Sequence, residues 1–359
     1  MILITRLSLL QPPLNLSYPD MQLQKKIRYL FKPKAIALMY HRITELKSDP
    51  WQLAVSPNNF EQHLQVLQKK GKLIKVKEMV SSLKNNAVAN NSICLTFDDG
   101  YTDNYLKAKP LLEKYKCPAT FFIPTYYTGQ EQGFWWDELE SILLCYPDLP
   151  AKFSMPINGK LLKYDLENDS TLTNAQLSKH RLWAWPASPP TRRCELYLEI
   201  WQCIRPLPYT ELQAVVNEIK CWASFSCSPG TGSLPMTHSQ LCGLVTHPLI
   251  DLGLHTVTHP ALSYHTIEVQ RLEIAGNKKK LEKIVGKPVE TIAYPYGDYN
   301  DITLSVVKEL NLNAAFTTAE KVISNLTDPY RIGRFQVKNW NGNEFEKWLV
   351  KWQTSAQFL

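Results

Sequence analysis

From about residue 35 to 125 short, fully apolar runs alternate with helix-like segments, and the alternation resumes after about residue 235. That rhythm is the signature of βα units around a parallel sheet, so an α/β chain is predicted. Ala35-Ile-Ala-Leu-Met39 reads as the first strand. Ser56 and Pro57 supply an N-cap and first-turn proline for a helix whose Phe60, Leu64 and Leu67 share a face and which Gly71 ends. Residues 93–97 form the next strand; a helix from about Asp103 follows, with Leu111, Leu112 and Tyr115 on its inner side, and then a strand at Ala119–Ile123. These are two consecutive βα repeats.

Between about 126 and 235 the rhythm breaks. Six tryptophans (135, 136, 183, 185, 201 and 222), a proline-rich run at 186–190 and Ser228-Pro-Gly-Thr-Gly-Ser233 mark an insertion, expected to be helical in parts, with most of its tryptophans serving as packing. Beyond it a helix is predicted from Thr237, a strand at 249–254, a charged helix at Ile267–Val285 stopped by Gly286, and a strand at 291–294. Asp298 is expected to cap a helix whose Ile302, Val306 and Leu310 share a face, and strands at 314–318 and 332–337 complete the count. The organisation is therefore a lead-in over 1–34 and a barrel over 35–359, interrupted at about 126–235.

Composition narrows the classes. With 359 residues, 44% hydrophobic and 20% charged, the chain can bury a sizeable core. Forty basic against 33 acidic residues, a net +7, is too slight an excess for a dedicated nucleic-acid binder, and leaves an anionic glycan or a membrane surface open as partners. The stretch Lys25 to Lys34 is basic enough to touch anionic lipid, although a solvated lead-in to the first strand is the plainer expectation. The apolar start is interrupted by Arg6 and followed by Pro12-Pro13, unlike a secretion signal, and nothing later is long enough to span a bilayer. The eight cysteines form no metal-binding spacing and are expected to be buried, reduced thiols. The expected compartment is the cytoplasm.

Thr96-Phe-Asp-Asp-Gly100 places two adjacent carboxylates where an apolar strand ends and glycine opens a turn, the catalytic face of a (β/α) barrel. Adjacent residues leaving a strand point in different directions, so one carboxylate can bind a cation while the other faces water; capping the next helix is the plainer alternative. His255-Thr-Val-Thr-His259 follows another apolar strand, and two nearby imidazoles suit zinc or a similar metal. The β-branched residues between them and Pro260 after them predict a loop or single turn rather than a metalloprotease helix. Ala293-Tyr-Pro-Tyr-Gly297 ends a third strand, where a backbone fixed by proline and glycine can aim a peptide N–H into the site as an oxyanion donor. Three strand ends carrying acids, histidines and a rigid turn describe a TIM-barrel-like active site.

The stretches Leu95-Thr-Phe-Asp-Asp-Gly-Tyr101, Pro118-Ala-Thr-Phe-Phe122 and Leu252-Gly-Leu-His-Thr-Val-Thr-His-Pro260 resemble the polysaccharide deacetylase (NodB-homology, carbohydrate esterase 4) family. The likeness covers about residues 35 to 125 and 236 to 340. It implies a distorted (β/α)₇ TIM-like barrel and a hydrolase that removes acetyl groups, N-acetyl above all, from a carbohydrate or glycan. Asp98 is then the general base, Asp99, His255 and His259 hold one divalent ion, expected to be Zn²⁺, and the Tyr296 N–H stabilises the oxyanion. The chain departs from the family pattern twice. Ala293 stands where the family often has an arginine that tethers the base, with Arg334 as the candidate replacement, and no histidine follows Gly297 to act as general acid. His41, which also ends a strand, is a further candidate, although a hydrogen-bonded structural histidine is the plainer expectation. A catalytically lapsed carbohydrate-binding protein on this fold, and a metal-dependent esterase or amidase on a non-sugar substrate, remain the alternatives.

Overall fold

The computed structural model describes residues 34–226 and 233–354. The lead-in over 1–33, including most of the basic stretch, Cys227 and part of the Ser228–Ser233 run lie outside the described residues.

Seven strands follow one another in a single curled, all-parallel sheet: β1 (Ala35–Tyr40), β2 (Ser92–Phe97), β3 (Ala119–Ile123), β4 (Ile250–Leu254), β5 (Thr291–Ala293), β6 (Ala314–Phe316) and β7 (Phe335–Gln336). Their spatial order is β6-β5-β4-β3-β2-β1-β7, and a two-residue strand at Lys72–Leu73 pairs beside β2. The sheet curls until its two edges approach. There Ile332 makes a parallel bridge to Phe316, and Arg334 reaches the Thr317 carbonyl at 3.1 Å. Helices cover the outside, as a parallel sheet buried on both faces requires. Every residue of β1, β2 and β3 is buried.

Local chemistry accounts for most boundaries. Ser56 accepts from the Asn59 N–H and Pro57 opens the helix Pro57–Lys70. Gly286, at φ 66°, ends the helix Ile267–Val285 in the left-handed conformation that glycine adopts without strain. The cap expected at Asp298 is instead Asn300, whose side chain accepts from the Thr303 N–H, while Asp298 accepts from the Ser263 N–H and hydroxyl. The inner face of that helix is Thr303, Leu304, Val306 and Val307, and Ile302 is exposed. The last strand is shorter than expected, because between Ile332 and Phe335 the chain spends its backbone bonds on closing the sheet.

On the outer face of the sheet, against Phe60 of the helix Pro57–Lys70, Tyr40, Phe97 and Phe121 stack in register across β1, β2 and β3, with ring centroids 5.2 and 4.6 Å apart. Gly253 lies opposite Phe122 on the neighbouring strand, where a Cβ would come within 2.3 Å of the Phe122 ring.

The segment between β3 and β4 builds its own core. The helices Trp135–Glu140, Arg192–Ile204 and Tyr209–Trp222 pack with an antiparallel hairpin of Lys152–Ile157 and Lys160–Asp165 around Trp135, Leu139, Phe153, Tyr197 and Val216. Trp135 and Trp183 are buried as packing residues, whereas Trp185 is 47% exposed. The cysteine expectation holds only in part. The seven described cysteines are free and three are buried, but Cys221 and Cys242 are exposed, because their helices carry them on solvent-facing sides. Among the described residues no helix is long and apolar enough to cross a membrane.

Gly253→Ala should destabilise the fold by about 1–3 kcal/mol through overpacking against Phe122. Urea unfolding checks it; an unchanged midpoint would mean that the ring moves aside freely.

Candidate active site

The carboxyl ends of β1, β2, β4 and β5 deliver the predicted residues to one cavity of about 420 Å³. It holds His41, Asp98, Asp99, His255, His259 and Tyr296.

Asp98 leaves β2 almost wholly buried, and its two oxygens each accept from Arg334, from Nη1 and Nη2, both at 2.7 Å. The guanidinium is fully buried and also donates to Thr96 Oγ1 and the Thr317 carbonyl. Burial raises the Asp98 pKa, but the Arg334 charge and hydrogen bonds, helped by His255 and His41, outweigh it and hold the carboxyl below its usual value. The geometry thus puts Arg334 where the sequence left a tether missing at Ala293.

Asp99 turns the other way, because it and Gly100 take left-handed φ of 69° and 71°. Its Oδ1 lies 3.4 Å from His255 Nε2 and 3.3 Å from His259 Nε2. His255 Nδ1 is 2.7 Å from the Ala293 carbonyl, which can only accept, so the ring proton sits on Nδ1 and Nε2 presents a lone pair. Asp99 Oδ1 is buried with no hydrogen-bond partner among the described residues. Burial would raise Asp99, yet the two imidazoles hold it well below the usual carboxylate range. One ligand atom from each of the three residues lies within 4.8 Å of the others. An orphaned carboxylate oxygen facing imidazole nitrogens, one of them proton-free, fits a divalent cation.

The 255–259 segment is a turn, with Thr256 and His259 at φ 64° and 62°. It is held from the helix Ile267–Val285. Asn277 accepts from the His255 N–H and donates to the Ile123 carbonyl and Thr125 Oγ1, while Glu273 accepts from the Val257 and Thr258 N–H groups and the Thr258 hydroxyl. Sequence reasoning missed both residues; their only signal is an i,i+4 spacing on a helix rich in charge.

His41 enters the cavity with Nε2 3.9 Å from Asp98 Oδ2, and its buried Nδ1 has no hydrogen-bond partner among the described residues, contrary to the expectation of a hydrogen-bonded structural histidine. Burial lowers its pKa against the pull of Asp99 and Asp98. Tyr296 sits at φ 58°, with its ring 4.6 Å from that of His259. The cavity wall comes from the segment between β3 and β4. Trp136 lies 4.8 Å from the His259 ring, and Trp201 contacts both Trp51 and Tyr296. Arg205, one helical turn after Trp201, was also missed; the Trp-x-x-x-Arg spacing is its sequence signal.

Comparison with known proteins shows what the chain is similar to. The polysaccharide deacetylase family matches residues 85–144 and 231–315, which contain Asp98, Asp99, His255, His259 and Tyr296. The chain is similar to that family over these two segments. It is 23% identical over 341 residues to the poly-beta-1,6-N-acetyl-D-glucosamine N-deacetylase of Staphylococcus aureus, covering 91% of this chain and 86% of the relative. IcaB from Ammonifex degensii superposes with a TM-score of 0.55 at 18% identity, over 90% of this chain and 98% of that one. Streptococcus pyogenes deacetylase PplD, solved in complex with acetate, gives 0.51 at 21% identity, over 90% and 99%. The likeness in fold confirms the distorted (β/α)₇ barrel.

Asn277→Ala should cost about 1–3 kcal/mol by leaving buried backbone groups unpaired. It should also speed amide hydrogen exchange in 255–259, read by mass spectrometry; unaltered protection there would show that the turn holds itself.

Proposed function

We propose that this chain is a metal-dependent hydrolase that removes N-acetyl groups from an acetylated amino-sugar polymer. One observation carries the reading: a carboxylate fixed by Arg334 and a carboxylate facing two imidazoles share one aromatic-walled cavity. The names of the Staphylococcus aureus relatives support an N-acetylglucosamine polymer as the substrate class.

Asp99, His255 and His259 would hold the divalent ion, and zinc best matches two imidazoles and one carboxylate. Bound there, such an ion supplies Lewis-acid polarisation of the acetyl carbonyl and acidifies water. Asp98 takes the proton from the attacking water. Arg334 leaves each Asp98 oxygen a second lone pair for this, while fixing the direction in which it is offered. The Tyr296 N–H donates to the developing oxyanion. His41, with Nε2 3.9 Å from Asp98 Oδ2, is placed to take that proton from Asp98 and pass it to the leaving amine. Trp51, Trp185 and Trp201 offer flat faces for sugar rings, so the segment between β3 and β4 shapes the cleft.

Purified protein should carry one divalent ion per chain by metal analysis. Asp99→Ala and His255→Ala should lose it; full occupancy in either would refute the ligand set. Asp98→Asn should keep the metal and lower kcat for acetate release from an acetylated chitooligosaccharide by about 10² to 10⁴. Wild-type rates in that variant would place the base elsewhere. His41→Gln should lower N-deacetylation by a similar factor but hydrolysis of an activated aryl acetate far less, because phenolate departs without a proton. Equal losses on both substrates would remove His41 from the acid role.

A further inference from the structure

Arg205 follows the helix Arg192–Ile204 and brings its guanidinium to the edge of the cavity that holds Asp99, His255 and His259. The group lies over three aromatic rings, 5.3 Å from Trp201, 5.6 Å from Tyr296 and 5.9 Å from Tyr264. Its Nε is buried without a hydrogen-bond partner, and among the described residues no carboxylate pairs with it. The nearby acids face elsewhere: Asp98 is bound by Arg334, and Asp99 turns toward His255 and His259. A half-buried guanidinium without a counter-ion is unusual, since buried charge is ordinarily paired. Here aromatic faces hold the cation in place without neutralising it or using its in-plane donors. A planar fork of free N–H donors matches a carboxylate or an ester sulfate or phosphate, which would also supply the missing charge. Neutral hydroxyls would meet the donors but not the charge.

We propose that Arg205, with Trp201, forms a subsite for an anionic substituent, so that the preferred substrate is an acetylated glycan carrying acidic groups. The proposal rests on the deacetylase reading and narrows its substrate class. The sugar ring that bears the charge lies over Trp201, next to the residue being deacetylated, and the guanidinium receives the anion at its edge.

The test uses the zinc-loaded full chain and three tetrasaccharides: neutral chitotetraose, a hyaluronan tetrasaccharide in which N-acetylglucosamine alternates with glucuronate, and 6-O-sulfated chitotetraose. Binding is measured by calorimetry, and acetate release is followed in the same samples. The wild type should bind at least one charged probe more tightly than chitotetraose, and the two charged probes separate carboxylate from sulfate as the preferred anion. Arg205→Gln should weaken the preferred charged probe by about 10- to 100-fold, and at least tenfold more than it weakens chitotetraose. Arg205→Lys should recover part of the loss, which a purely structural role would not predict. Equal weakening of charged and neutral probes, or a wild type that binds chitotetraose at least as tightly as both charged ones, would overturn the proposal. Acetate release without charge discrimination would sink this inference and leave the deacetylase reading intact. Charge discrimination in binding with no acetate release from any probe would sink the deacetylase reading alone.

Discussion

Arg334 and Asp98 form a two-pronged ion pair in the dry interior of the barrel, and much of the site's order follows from it. Removing either partner would leave a buried charge unmatched, at a cost of about 3–5 kcal/mol. The pair also joins distant parts of the fold, because Asp98 ends β2 while Arg334 sits where the two sheet edges approach and binds the Thr317 carbonyl beyond β6. Closing the barrel and orienting the carboxylate are therefore one event. With Asp98 committed to the guanidinium, Asp99 alone faces the imidazoles, and the adjacent acids acquire separate roles.

The strand ends were legible in the sequence because each combines an apolar run with residues that do not belong at the end of an ordinary strand. Asp98 and Asp99 before Gly100, and His255 and His259 around three β-branched residues, declare themselves within a few positions. Helix limits such as Ser56, Thr237 and Gly286 were legible for the same reason, since caps act over one turn. What depends on distance was not. Arg334 reaches Asp98 across 236 positions, and it is named only because the resemblance calls for a tether that Ala293 lacks, not from anything in its own neighbourhood. Asn277 and Glu273 read as part of a solvated charged helix, and only the folded turn opposite them gives them partners. The hairpin around Asn158 and Gly159 is a different case. Its turn dipeptide and alternating burial were visible, but an expectation of helices masked them.

The segment between β3 and β4 changes the character of the cavity without supplying a proposed metal ligand or base. Trp135 and Trp183 stabilise that segment from within, while Trp136, Trp201 and Arg205 point out of it toward the barrel. Chemistry and recognition thus come from different layers of the molecule. Trp136 links them, because its indole donates to Tyr101, just after Gly100, while its ring lies beside His259.

The contact between His255 Nδ1 and the Ala293 carbonyl has a consequence for how the molecule matures. A main-chain oxygen is present whatever residue stands there, so the tautomer it imposes does not depend on the side chain at position 293. It exists, however, only once β5 has docked beside β4. In a nascent or partly unfolded chain that imidazole is free to choose the other tautomer. The lone pair that His255 turns toward Asp99 is therefore given its direction only when the fifth strand is laid down.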